Sequence, residues 1–169
     1  MQKKKRESKA AFRTSTLQQD ASSYLKFSPK KTQKIAQELY EGVSIQGEQV
    51  GLITYMRTDS DRLSAGFTTG AQAFIAQQYG EAYVASAPKS KTVVLQSQDA
   101  HEAIRPTSVL RTPESITSYL SSDQLKLYRL IFNRALASLM TSQQYEITTY
   151  RLTGGDFTFK VSGSVVTFP

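Results

Sequence analysis

The chain has 169 residues, 39% of them hydrophobic, enough for one domain or one domain plus part of another. No apolar run approaches the roughly 18 residues of a membrane-spanning helix, and the basic N-terminus lacks the apolar segment of a secretory signal. With no cysteine, disulfides and thiolate metal sites are excluded. The net charge of +7 is concentrated: residues 1–34 hold ten Lys/Arg against Glu7 and Asp20, leaving the other 135 residues slightly negative. A basic end of this kind attracts polyanions, nucleic acid first among them.

In chain order, residues 1–12 read as a basic lead-in, solvated or phosphate-binding. Thr14 or Ser15 can N-cap a helix running to about Lys26, with Leu17, Ala21, Tyr24 and Leu25 on its buried face. Ser28-Pro29 opens a second helix with Ile35 and Leu39 inward, Lys30, Lys31 and Lys34 towards phosphate, and Gly42 as its stop. Residues 43–49 read as a loop and Val50 to Thr54 as a β-strand. Asp61 to Ser64 starts a helix burying Phe67, Ala71, Phe74, Ile75 and Gln78, closed by Gly80.

Ser86 to Thr92 reads as a loop, with a short β-strand at Val93-Val94-Leu95. Thr112-Pro113 begins a short helix, and Ser121-x-x-Gln124 is a capping box for a longer one with Leu125, Tyr128, Ile131, Phe132, Ala135, Leu136 and Leu139 inward. From Tyr145 the period becomes two, with Gly154-Gly155 as a hairpin turn. So small a sheet is marginal alone, which points to a larger assembly. The fold class expected is α+β, mostly helical, with a C-terminal β-hairpin.

The chemistry concentrates in Gly51-Leu-Ile-Thr-Tyr-Met-Arg-Thr-Asp-Ser60. A free phenol titrates near about 10, so Tyr55 needs a neighbouring positive charge or base to attack at neutral pH. Arg57 can hold a phosphate bidentately, and Thr54, Thr58 and Ser60 can add hydrogen bonds. Most tyrosines are structural, and Tyr24, Tyr40, Tyr79 and Tyr128 fall in helical patterns as core or boundary residues. His101, the sole histidine, can contact phosphate or protonate a leaving oxygen, with Glu102 and Arg105 close by; a surface histidine is the plainer reading. Asp59-x-Asp61 suits helix capping and ion pairing better than a metal, so no metal ligand is assigned.

The decapeptide resembles the active-site segment of the bacterial type IA DNA topoisomerases. Phe12-Arg-Thr-Ser-Thr-Leu-Gln-Gln19 and His101-Glu-Ala-Ile-Arg-Pro-Thr107 resemble flanking segments of the same family, in the same order. Ala10-Ala11 stands where a proline is expected. The resemblance implies an ATP-independent enzyme that cleaves one DNA strand through a 5′-phosphotyrosine on Tyr55, passes a strand and religates, relaxing negative supercoils. Arg57 and His101 would join Tyr55 in catalysis. Arg57, Thr54, Thr58, Ser60, His101, Arg105, Lys30 and Lys31 would contact single-stranded or negatively supercoiled DNA.

It also implies a mobile gate domain over 13–141 and part of a β-rich arch domain over 142–169. Mg²⁺ would be bound by a Toprim domain absent from this stretch, without which the piece is inactive. The partners implied are DNA and the remaining domains of the polypeptide, in the bacterial cytoplasm at the nucleoid and away from membranes. A non-catalytic single-stranded DNA-binding module is the competing reading.

Overall fold

The helix ends follow from local chemistry in this structure, a computed structural model that describes residues 1–86 and 101–169. The expected loop over Ser86–Thr92, beyond Ser86 itself, and the β-strand at Val93–Leu95 lie outside the described residues. Helix α1 spans Thr14–Asp20 and continues as a π-turn over Ala21–Leu25. Its N-cap is Arg13, one residue earlier than expected, because the Thr14 hydroxyl donates instead to Met56 O at 2.7 Å. The wider π-turn shifts the side-chain register. Leu17 and Ala21 are buried, whereas Tyr24 turns out to solvent, 68% exposed.

Helix α2, Pro29–Glu41, starts as expected: the Ser28 hydroxyl accepts the Lys31 N–H and proline occupies the first turn. Thr32, Ile35, Ala36 and Leu39 are buried. The helix stops at Gly42, whose φ of +103° and whose missing Cβ, which would sit 2.6 Å from Val50 C and O, both demand glycine. Residues 43–49 are not a loop. β2 (Val43–Ile45) and β3 (Glu48–Val50) form an antiparallel hairpin through Gln46 and Gly47, both at positive φ. Of the β-strand expected from Val50 to Thr54, only Val50 belongs to a strand, as the last residue of β3, and beyond it there is one isolated bridge between Ile53 and Pro106.

Helix α3, Ala65–Tyr79, is capped by Ser64 and closed by Gly80. Phe67, Ala71 and Ile75 are buried, but Gln78 is exposed, because the last turn lies beyond the packed face. The helix expected after Thr112-Pro113 reduces to turns and a 3₁₀ segment, Thr117–Tyr119. Helix α4, Ser122–Ser138, has the full Ser121/Gln124 capping box. Leu127, Tyr128, Ile131, Phe132, Ala135 and Leu136 form its core face, with Leu125 only half-buried. The Tyr128 hydroxyl donates to Arg111 O at 2.6 Å, and burial pushes its pKa upward. Arg134 ties α4 to the N-terminal segment, donating to Ala10 O and Asp20 and lying 4.4 Å over the Phe12 ring.

The terminal regions form one antiparallel sheet ordered β1-β4-β5, from Gln2–Arg6, Gln143–Gly154 and Phe157–Phe168. The lead-in is therefore partly a β-strand: Gln2 pairs with Ile147 and Arg6 with Gln143. The hairpin turns at Gly155-Asp156, one residue later than expected, with Gly155 at φ +58°. Tyr150, Leu152, Phe157, Phe159 and Val161 are each more than half exposed, and the pairs Tyr150–Val161 and Leu152–Phe159 put them on one face. The architecture is α+β: among the described residues, four α-helices around one core, with antiparallel strands.

Candidate functional site

Three segments far apart in sequence are knitted together by backbone hydrogen bonds. Ile104 N donates to Phe12 O at 2.7 Å, Thr54 N to Arg105 O at 2.9 Å and Thr107 N to Leu52 O at 2.9 Å. Thr14 locks the loop after Tyr55: its N–H donates to Thr58 O and its hydroxyl accepts from Thr58 N, both at 2.9 Å. Leu52, Ile53 and Met56 are buried anchors on either side of Tyr55, which is left 44% exposed. An exposed phenol is thus carried on a short segment pinned at both ends.

Two adjoining depressions meet at Thr58 and His101. One, of about 390 Å³, is lined by Tyr40, Ile53, Thr54, Tyr55, Glu102 and Thr107 besides those two. The other, of about 570 Å³, adds Thr14, Ser15, Gln18, Arg57 and Asp59. His101 and Thr58 thus line both depressions, with Tyr55 in the first and Arg57 in the second. The Arg57 guanidinium is exposed and enters no ion pair among the described residues.

Several expected contacts are committed elsewhere. The Thr54 hydroxyl donates to Ala103 O at 2.7 Å and accepts from Arg105 N at 3.0 Å. The hydroxyl oxygens of Thr58 and Ser60 accept the N–H groups of Ser60 and Arg62, each at 3.1 Å. Lys31 pairs with Asp123 at 2.8 Å and lies over Phe27, and neither it nor the exposed Lys30 lines the two depressions. Tyr24 and Tyr79, read as core or boundary, are exposed on their helices.

Glu102 does not reach for His101 here; it braces the segment that carries it. Its carboxylate accepts from Arg105 Nη2 and from Ser64 N, both at 2.7 Å, and Arg105 also donates to Pro106 O and lies over Phe67. Burial pushes the Glu102 pKa up, but the hydrogen bonds from Ser64 and Arg105, with the Arg105 charge, outweigh it and hold the carboxyl below its ordinary 4.5. The side chains of Arg105 and Glu102 are 13% and 21% exposed, so leaving either unpaired is costly. Glu102→Gln is expected to lower stability at neutral pH by about 1–3 kcal/mol in chemical denaturation. Because the folded-state pKa is depressed, this difference from the parent is full above about 4.5 and disappears as pH falls through the folded-state value.

Ser15, read as a possible N-cap, Tyr40, read as core or boundary, and Gln18 were not assigned to the site from the sequence, yet they line the depressions. Ser15 and Gln18 sit one turn apart on α1, a spacing that places them on one face; Tyr40 carried no local signal. Asp59 faces the Arg57 depression, and among the described residues no three His, Cys, Asp or Glu come together as a metal site.

The family model described as DNA topoisomerase matches residues 1–169, and the chain belongs to that family. It is 49% identical over 155 residues to DNA topoisomerase 1 of Thermotoga maritima, covering 92% of this chain and 24% of that protein. The solved structure of full-length topoisomerase I from Thermotoga maritima, in a monoclinic crystal form, matches with a TM-score of 0.82 at 45% identity, over 99% of this chain and 26% of that one. The chain thus spans about a quarter of the length of the relatives it matches. No helix among the described residues is long and apolar enough to cross a membrane.

Proposed function

We propose that this chain is the tyrosine-bearing part of a type IA DNA topoisomerase, and that Tyr55 makes the transient DNA break. The observation that carries this reading is an exposed phenol and a guanidinium without an ion pair among the described residues, in two adjoining depressions that share His101. In the cleavage step the Tyr55 oxygen attacks a backbone phosphorus. The bond from phosphorus to the 3′-oxygen breaks, the phenolic proton is lost, and the departing oxygen is protonated to a 3′-hydroxyl. The DNA 5′-phosphate stays esterified to Tyr55, and the reverse reaction reseals the strand without ATP. Passage of a strand through the open break then relaxes negative supercoils.

Arg57 is suited to gripping the phosphate as charge develops on its oxygens, and His101 to contacting DNA beside it. Lys30 remains available for the phosphate backbone, while Thr54, Thr58, Ser60 and Arg105 shape the loop that presents the tyrosine. Mg²⁺ belongs to this reading as a cofactor of the longer polypeptide. Among the described residues no three His, Cys, Asp or Glu come together to hold it. The gate-domain assignment for 13–141 and the arch assignment for 142–169 belong to this reading; the exposed apolar face of β4 and β5 suits burial by another part of the polypeptide.

The test uses the full-length polypeptide and a single-stranded oligonucleotide labelled at its 3′ end. After denaturation the label is expected on the protein, in the peptide containing Tyr55. Label on another peptide, transfer of a 5′-end label instead, or salt-sensitive binding with no adduct would overturn the reading, the last in favour of a non-catalytic binding module.

A further inference from the structure

We infer that Tyr40 is a positioning residue for Tyr55, holding the nucleophile's ring in its attacking orientation; this rests on the proposed role of Tyr55. Tyr40 sits in the last turn of α2, and its ring meets that of Tyr55 edge-on, with centroids 5.3 Å apart and planes at 64°. This geometry favours contact between the positive edge of one ring and the negative face of the other. Both rings line the same depression as His101.

The contact is built on locked backbone rather than on two flexible side chains meeting by chance. Leu52 N donates to Leu39 O at 2.9 Å, tying the end of α2 to the segment that delivers the tyrosine. Gly51 lets the chains approach: a Cβ there would stand 3.0 Å from Tyr40 O, tighter than ordinary contact. Leu39 is fully buried, so the α2 turn bearing Tyr40 is itself anchored.

The need for such a buttress follows from exposure. Tyr55 is 44% exposed, and its side chain can rotate about two bonds. A nucleophile misplaced by even about 1 Å can lose on the order of 10²-fold in rate. A neighbouring ring on one side restricts that rotation and leaves the other side open to a phosphate. Because the buttress acts on the tyrosine in both its free and esterified forms, its loss slows strand cleavage and resealing alike.

The experiment compares Tyr40→Ala, Tyr40→Leu and Tyr40→Phe in the full-length polypeptide. Single-turnover cleavage and resealing of an oligonucleotide are measured, and affinity is measured in a Tyr55→Phe background where nothing is cut. Tyr40→Ala and Tyr40→Leu are expected to slow both directions by about 10- to 100-fold, with affinity unchanged within about twofold. Tyr40→Phe, which keeps the ring, is expected to recover most of the rate. Should Tyr40→Ala fail to fold, Tyr40→Leu decides the matter, because it keeps apolar bulk without a ring. Parental rates in Tyr40→Leu would overturn the inference, as would a fall in affinity as large as the fall in rate, which makes Tyr40 a DNA contact. An adduct that persists in the Tyr55→Phe control removes the proposed nucleophile itself, an outcome distinct from parental rates in the Tyr40 variants.

Discussion

Tyr55→Phe in the full-length polypeptide is expected to abolish the covalent protein–DNA adduct, lowering its rate of formation by at least about 10⁴-fold. The substitution removes one oxygen and keeps the ring. The edge-on contact with Tyr40 survives, and so do the buried anchors Ile53 and Met56. Since Tyr55 is 44% exposed, stability should change by less than about 0.5 kcal/mol. Oligonucleotide affinity should be retained, because Arg57 and His101 are untouched. The hydroxyls of the same segment are engaged elsewhere: Thr54 donates to Ala103 O, and the oxygens of Thr58 and Ser60 accept loop N–H groups. A 3′-labelled oligonucleotide that still becomes attached to the variant would show that another group is the nucleophile.

What the sequence made legible was chiefly local. Ser28 with Pro29, Ser121 with Gln124, and the stops at Gly42 and Gly80 were readable because each cap is satisfied within a few residues. Where a distant partner competes, local chemistry misleads. Thr14 looks like an N-cap but spends its hydroxyl on Met56 and Thr58, so Arg13 caps α1 instead. Residues 2–6 carry four adjacent basic side chains and read as a solvated or phosphate-binding lead-in, yet their backbone pairs with β4 across most of the chain length. Tyr24 illustrates a third failure, since a π-turn breaks the regular period that helical pattern reading assumes. β2 and β3 were missed because Gln46-Gly47 lacks the asparagine or aspartate usual in such a turn.

The candidate site divides along the same line. The motif residues could be named from resemblance, and the structure brings their segments together through Phe12–Ile104 and Thr14–Thr58 hydrogen bonds. Which polar groups face outward was not readable. Arg57 and Arg105 look alike in sequence, each within a short polar motif. In the fold Arg105 is enclosed by Glu102, Pro106 and Phe67, whereas Arg57 faces an open depression. Tyr40 joined the site only because α2 ends against Gly51 and Leu52.

That contrast between the two arginines leads to the other large effect. Arg57→Ala is expected to slow strand cleavage by about 10²- to 10³-fold, the cost seen when one preorganised donor to a developing oxyanion is removed. Stability should hardly change, because the side chain is exposed and enters no ion pair among the described residues. Affinity should fall less than the rate, since one phosphate contact among several is lost, and the salt dependence of binding should weaken by about one charge. Arg57→Lys separates charge from geometry: it keeps the cation but not the planar fork, so it should restore affinity more fully than rate. Arg105→Ala should behave in the opposite way, destabilising the fold through the unpaired Glu102 carboxylate before it reveals any specific loss of cleavage. Single-turnover cleavage and denaturation measured on both variants would check this. If Arg57→Ala cut at the parental rate, phosphate stabilisation would have to come from a group outside this surface, and Arg57 would be left as a solvated side chain beside the nucleophile.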